Sequence, residues 1–64
     1  MMVEGYYLAL TKELRALGFT HATNAKGSHE KWVRGRTTLI VPRHLYSRYM
    51  ANALLRMAGS DKRL

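Results

Sequence analysis

The sequence predicts an α+β fold, a two-layer α-β-β-β-α sandwich in which two helices cover one face of a three-stranded antiparallel sheet. Three observations lead to this prediction. Apolar residues recur at three- and four-residue steps near both ends of the chain, whereas alternating and β-branched residues fill its middle. The chain has 64 residues, with no repeat, low-complexity segment or linker. Residues 1–64 are therefore expected to form a single domain.

An apolar stripe predicts the first helix over residues 6–17. The stripe consists of Val3, Tyr7, Leu10, Leu14 and Leu17. Gly18 follows the last turn, at the position where helices commonly end on a glycine. Phe19 comes directly after this glycine and is expected to fold back onto the helix.

Three strands are predicted between the helices, over residues 20–24, 28–33 and 37–41. Residues 25–27 are expected to form the first turn, and the pair Arg34-Gly35 the second. Pro42 ends the third strand, because proline has no amide hydrogen to donate to a neighbouring strand.

Alternation along the strands predicts which side chains face the helices. With Trp32 and Ile40 placed on the inner face, Ser28 and Glu30 share that face. Glu30 is then expected near an edge of the sheet. The outer face would carry a mixture of cationic and apolar groups, namely His29, Lys31, Val33, Leu39 and Val41.

The second helix is expected to begin after Ser47, a favourable N-cap residue, and to end before Gly59. Two adjacent lines of residues predict its buried side, namely Met50, Leu54 and Met57 with Ala51, Leu55 and Ala58 beside them. Of the aromatic residues, the sequence assigns Tyr7, Phe19 and Trp32 to the core and leaves Tyr46 and Tyr49 open.

Charge limits the classes of partner. Eleven Lys and Arg residues against four acidic ones give a formal net charge of +7. A small chain with this density of positive charge is expected to bind nucleic acid, an anionic membrane surface or an acidic protein.

Composition also excludes several kinds of site. The chain has no cysteine, and its histidines lack the short spacing of a metal-binding pair, so neither metal nor cofactor is expected. A Ser-His-Asp hydrolase is disfavoured because the one aspartate, Asp61, lies in the tail. The first residues show no cationic start followed by a long apolar run, so no signal peptide is expected, and no apolar run is long enough for a membrane span. A cytoplasmic location and no membrane partner are therefore expected.

The segment Lys26-Gly27-Ser28-His29 is the strongest candidate for chemistry. Metal-free RNA cleavage needs a base for the 2′-hydroxyl and positive charge for the phosphate, and an imidazole among cations supplies both. His29 is therefore the catalytic candidate; the RNA-binding candidates are Lys26, Gly27, Ser28, Lys31, Arg36, Arg43 and His44. Two alternatives stay open: His29 is a surface histidine without a role, or His44 takes the catalytic one.

Four segments together resemble the HicA family of mRNA interferase toxins. They are Leu-Arg-Ala-Leu-Gly-Phe at 14–19, Lys-Gly-Ser-His at 26–29, Leu-Ile-Val-Pro-Arg-His at 39–44 and Ala-Leu-Leu-Arg-Met-Ala-Gly at 53–59. The chain departs from the family in the neutral pair before Lys26, and in lacking a Lys-Pro-Gly run before the second helix.

The resemblance implies a fold similar to the double-stranded RNA-binding domain and an endoribonuclease that cleaves mRNA in a stress response, with His29 as its catalytic histidine. It also implies a type II toxin–antitoxin system, in which a HicB-like antitoxin binds the toxin and covers the histidine. The toxin would be a monomer alone and part of a hetero-oligomer with its antitoxin.

Two other functions remain open from the sequence. The first is a non-catalytic RNA-binding or adaptor module on the same fold. The second is a DNA-binding subunit, which ranks last because the chain has no helix-turn-helix pattern.

Overall fold

Five elements follow one another in the computed structural model, which describes residues 5–64 and, at Lys26, the backbone alone. They are α1 (Tyr7–Ala16), β1 (Thr20–Lys26), β2 (His29–Arg34), β3 (Thr37–Pro42) and α2 (Arg48–Met57). This order confirms the predicted α-β-β-β-α arrangement. Val3, placed by the sequence on the first apolar stripe, lies outside the described residues.

The strands form one antiparallel sheet in the order β1-β2-β3, so β2 is central. The turn between β2 and β3 lies one residue later than predicted, because Arg34 pairs with Thr37 and leaves Gly35 and Arg36 as the turn. Gly35 has a φ of +57°. A glycine with positive φ at the first of two turn positions matches the type II′ pattern, whose twist suits a tight hairpin. This preference explains the shift from Arg34-Gly35.

The first hairpin also has a two-residue turn that begins with a glycine of positive φ, since Gly27 has a φ of +56°. Lys26 pairs with His29 across it, and Gly27 and Ser28 form the turn. β1 therefore continues through residue 26, and the predicted turn over residues 25–27 is displaced.

The facing of β3 was predicted wrongly. Leu39 and Val41 are buried, at 2% and 0% exposed, whereas Ile40 is 44% exposed on the outer face. The reason is the parity that a two-residue turn imposes. Arg34 pairs with Thr37, so even-numbered residues of β2 lie opposite odd-numbered residues of β3, and Trp32 faces the helices together with Leu39.

The core lies between the inner face of the sheet and the two helices. Trp32 is fully buried at the centre of β2. The buried apolar residues around it are Leu10 and Leu14 of α1, Phe19, Leu39 and Val41, Leu45, and Ala51, Leu54, Leu55 and Ala58 from α2 and its C-cap. Both helices therefore cover one face of the sheet, as predicted. No helix within residues 5–64 has the length and apolar character needed to cross a membrane.

The buried side of α2 is narrower than predicted. Met50 and Met57 are 47% and 64% exposed, so their assignment to the core was wrong. Successive residues of a helix point about 100° apart, so Met50 faces well away from its neighbour Ala51. Ser47 caps the helix as expected, because its side chain accepts a hydrogen bond from the Met50 amide at 3.1 Å.

Candidate functional site

The outer face of the sheet carries the catalytic candidate. His29 and Lys31 alternate with the buried Glu30 and Trp32 along β2, and both are exposed. This part of the predicted alternation is confirmed. Residues two apart on a strand lie about 7 Å from each other, so Lys31 can share a ligand with His29.

The end of the sheet brings several predicted residues together. His29 pairs with Pro42 on β3 and with Lys26 on β1. The amide of Arg43 donates a hydrogen bond to the Ser28 carbonyl at 2.8 Å, which ties the residue after β3 to the Gly27-Ser28 turn. The backbones of His29, Ser28 and Arg43 therefore lie close together where the sheet ends.

His44 continues the chain from Arg43 at this end and is exposed. Its ring lies 6.4 Å from that of Tyr46 between centroids, with the planes tilted by 31°. Since both rings are exposed, His44 is available to a ligand.

Arg36 is not brought to this end. It lies in the turn between β2 and β3, beyond Arg34, while His29 begins β2. Five steps along a strand cover about 17 Å, so Arg36 cannot contact the phosphate that His29 contacts. It can reach only a different part of a bound strand.

A buried carboxylate lies on the opposite face of β2 from His29. Glu30 is 4% exposed on the central strand, so the expectation that it lies near an edge was wrong. Its Oε1 accepts hydrogen bonds from the Tyr7 hydroxyl at 2.7 Å and from Trp32 Nε1 at 2.9 Å. These donors replace the water that an edge position would have supplied.

The ionisation of Glu30 is set by opposing effects. Burial raises the pKa of its carboxyl, but the hydrogen bonds from Trp32 and Tyr7 lower it. The charges of His21 and Arg43 lower it further, and the pKa of Glu30 lies below its usual value. Glu30 is therefore anionic near neutral pH. Burial and the adjacent carboxylate together raise the pKa of Tyr7.

Glu30 also forms an ion pair with Arg43, at the end of the sheet. Arg43 Nε lies 3.4 Å from Glu30 Oε2, while its side chain stays 59% exposed. With its amide bonded to Ser28, Arg43 is held at both main chain and side chain. Its guanidinium is thus held at the end of the sheet, on the side of Glu30, and is still accessible to an anion.

The remaining histidine has a structural place. His21 stacks on Trp32, with ring centroids 5.4 Å apart and planes 18° from parallel, and its Nε2 lies 4.0 Å from Glu30. It covers the tryptophan from the edge strand β1.

Arg34, expected from the sequence in the second turn, stabilises the packing of the two helices. Its guanidinium donates to the carbonyls of Leu17 at 2.9 Å and Ala58 at 3.3 Å, and lies 4.6 Å from the Phe19 ring centroid. The residues with these carbonyls are the C-caps of α1 and α2.

Fold and site together define a small, basic α+β domain with an open sheet face that carries a histidine and cations. In the described part of the chain, no group of three or more His, Cys, Asp or Glu side chains is placed to hold a metal ion. Comparisons of the chain with protein-family models, with curated proteins and with solved structures found no match.

Proposed function

We propose that the protein is a metal-independent endoribonuclease that cleaves mRNA, the toxin component of a type II toxin–antitoxin system similar to HicA. The observation that carries the proposal is the exposed imidazole of His29 at the end of the open sheet face. Ser28 precedes it and is bonded through its carbonyl to the Arg43 amide, and Lys31 follows on the same face.

In this proposal His29 acts as general base and takes the proton of a 2′-hydroxyl, whose oxygen attacks the adjacent phosphorus. The bond to the 5′-oxygen then breaks, and that oxygen receives a proton from an acid. Positive charge from Lys31 and Arg43 stabilises the phosphate as it gains charge in the transition state. The backbone of Lys26 pairs with that of His29. Lys26 is therefore a further candidate for binding the RNA phosphate, and Ser28 supports that phosphate.

The partner proposed for the sheet face is a HicB-like antitoxin in the cytoplasm. An acidic protein would be steered to a chain of net charge +7. Ile40, 44% exposed and paired with Lys31, gives this partner an apolar side chain to bury beside the cations. Covering this face would keep RNA from His29.

The first test is cleavage of a mixed-sequence RNA in EDTA by the protein freed of antitoxin. We expect cleavage to persist in the chelator, and His29→Ala to abolish it with little change in the thermal midpoint, because an exposed strand histidine contributes little packing. His44→Ala is the matched control and should retain most activity. Cleavage that stops in EDTA and returns with magnesium would refute the metal-free mechanism.

The same experiment separates an enzyme from a binding module. If the His29→Ala protein cleaves normally and His44→Ala does not, the catalytic role belongs to His44. RNA that stays intact for hours under saturating wild-type protein would instead favour the non-catalytic RNA-binding or adaptor function.

A further inference from the structure

A second basic surface lies on α2 and the C-terminal segment, away from the sheet. It is a cleft of about 430 Å³ lined by Arg48, Tyr49, Asn52, Ala53, Arg56 and Arg63. Arg48, Asn52 and Arg56 follow one another at four-residue steps, which places them on one side of the helix. None of them belongs to the predicted RNA-binding set.

The C-terminal segment is folded back to form the other wall. The amide of Leu64 donates to Asn52 Oδ1 at 2.7 Å, and Leu64 itself packs against the core. Lys62 Nζ lies 3.3 Å from Glu13 Oε1 on α1. These contacts on either side of Arg63 hold its backbone beside α2, so the cleft is part of the folded domain.

The charge of this cleft is unbalanced. Within residues 5–64, none of its three arginines forms an ion pair with a carboxylate. An adjoining hollow of about 230 Å³ adds Lys62 and one acid, Asp61. At the cleft itself, Tyr49 is 85% exposed, and the only aliphatic side chain of the lining is Ala53.

We propose that this cleft binds a segment of single-stranded RNA, with phosphates on Arg48, Arg56 and Arg63 and a base stacked on Tyr49. The choice of RNA rests on the proposed function. Guanidinium groups bind phosphate through paired hydrogen bonds, and an exposed aromatic ring accepts any base. Arg48 and Arg56 are about 12 Å apart along the helix axis, which suits a chain of phosphates better than a single one.

An acidic protein fits this cleft less well. The fully buried centre of a protein interface is more apolar than the rest of the surface, whereas Ala53 is the only aliphatic side chain of this lining. The sheet face, with Ile40 beside Lys31, is the better surface for such a partner.

The cleft is also separate from the catalytic candidate. α2 packs on the inner face of the sheet through Ala51, Leu54 and Leu55, while the cleft residues lie on its solvent side. The sheet and α2 therefore stand between the cleft and His29. RNA held in the cleft must pass around the domain before another part of it reaches the sheet.

Binding of a short, labelled single-stranded RNA to the His29→Ala protein, followed by fluorescence anisotropy over a range of salt, tests the proposal. Arg56→Gln should weaken binding severalfold and lower the slope of log affinity against log salt by about 0.7. Lys12→Gln, an exposed change of the same charge on α1, is the control and should have a smaller effect. Tyr49→Leu should weaken binding about fivefold or more, with an unchanged slope.

Amide chemical shifts measured during the same titration separate this proposal from the proposed function. Shifts at residues 48–56 and 63 support the cleft, whether or not the sheet face also responds. Shifts confined to β2 and β3 overturn it and leave the proposed function standing, and no response anywhere overturns both. Equal effects of Arg56→Gln and Lys12→Gln, or tighter binding of poly-glutamate than of RNA at equal charge, also overturn it.

Discussion

At the residue scale, Arg34 connects three parts of the fold that are distant in sequence. Its two terminal nitrogens bond to the C-cap carbonyls of both helices, and the plane lies over Phe19. Helix C-termini carry unpaired carbonyls and partial negative charge, which a cation stabilises. One side chain of β2 therefore completes the ends of α1 and α2 together.

Replacing this residue should lower stability. Arg34→Ala removes two charge-assisted hydrogen bonds, and since the side chain is partly solvated we expect a loss of about 1–2 kcal/mol. For a domain of this size that corresponds to a fall in thermal midpoint of at least about 4 °C. Arg36→Ala, which removes the same charge from the neighbouring turn, should change the midpoint little. Equal midpoints for the two variants would contradict the role given to Arg34.

The sequence could not have predicted this use of Arg34. Its partners lie 17 and 24 residues away along the chain, and the contacts exist only after both helices have packed on the sheet. The catalytic candidate is different, because His29 and its neighbours Gly27 and Ser28 are contiguous and the alternation of β2 alone turns His29 outward.

At the element scale, local signals predicted the helices within about a residue of their observed ends. α1 spans Tyr7–Ala16 against a prediction of 6–17, because an apolar stripe and a following glycine define a helix locally. β3 was harder. Leu39, Ile40 and Val41 are three consecutive apolar residues, so composition does not say which of them face inward. Any two-residue turn places even-numbered residues of β2 opposite odd-numbered residues of β3, so the predicted turn at Arg34-Gly35 was itself inconsistent with Trp32 and Ile40 on one face.

The two faces of β3 should respond oppositely to a lysine. Leu39→Lys should unfold the protein, because a charge would be buried at a position that is 2% exposed. Ile40→Lys should keep the fold and RNA cleavage, yet weaken antitoxin binding measured by calorimetry.

Leu8→Lys, at an exposed apolar residue of α1, is the control for antitoxin binding and should leave it unchanged. If Ile40→Lys binds the antitoxin as well as Leu8→Lys does, the partner does not cover this face. Protection from hydrogen exchange confined to α1 and α2 in the complex would lead to the same conclusion.

At the scale of the whole molecule, Glu30 links elements distant in sequence. It bonds to Tyr7 of α1 and Trp32 of its own strand, and it pairs with Arg43 after β3. Leaving a buried carboxylate without these partners is costly, so the network favours one arrangement of α1 and the loop after β3 over the sheet. The inward position of Glu30 was predicted from alternation, but its partners were not.

Because of this network, the free energy of unfolding should depend on pH. The folded pKa of Glu30 is lowered, so the unfolded chain takes up the proton at higher pH than the folded one. The contribution of ionised Glu30 to stability is therefore fully present above the pKa of the unfolded state, and it is lost as pH falls through the pKa of the folded state. Urea unfolding at a series of pH values from 7 to 3 should show Glu30→Gln far less stable than wild type at pH 7, with the gap narrowing in acid.

Glu13→Gln is the matched control. Among residues 5–64, the ion pair of Glu13 is with the largely exposed Lys62, and surface pairs contribute little. Its difference from wild type should stay small throughout. A gap between Glu30→Gln and wild type that is the same at pH 7 and pH 3 would mean that the charge of Glu30 does not contribute.

The double attachment of Arg34 has a consequence for the order of folding events. Its contacts join chain segments that are far apart in sequence, and neither helix end can be completed until β2 has its place in the sheet. Contacts of this kind are expected to form after the transition state of folding. They therefore slow unfolding and hardly change the folding rate. The guanidinium would thus lengthen the lifetime of a domain too small to have a large core.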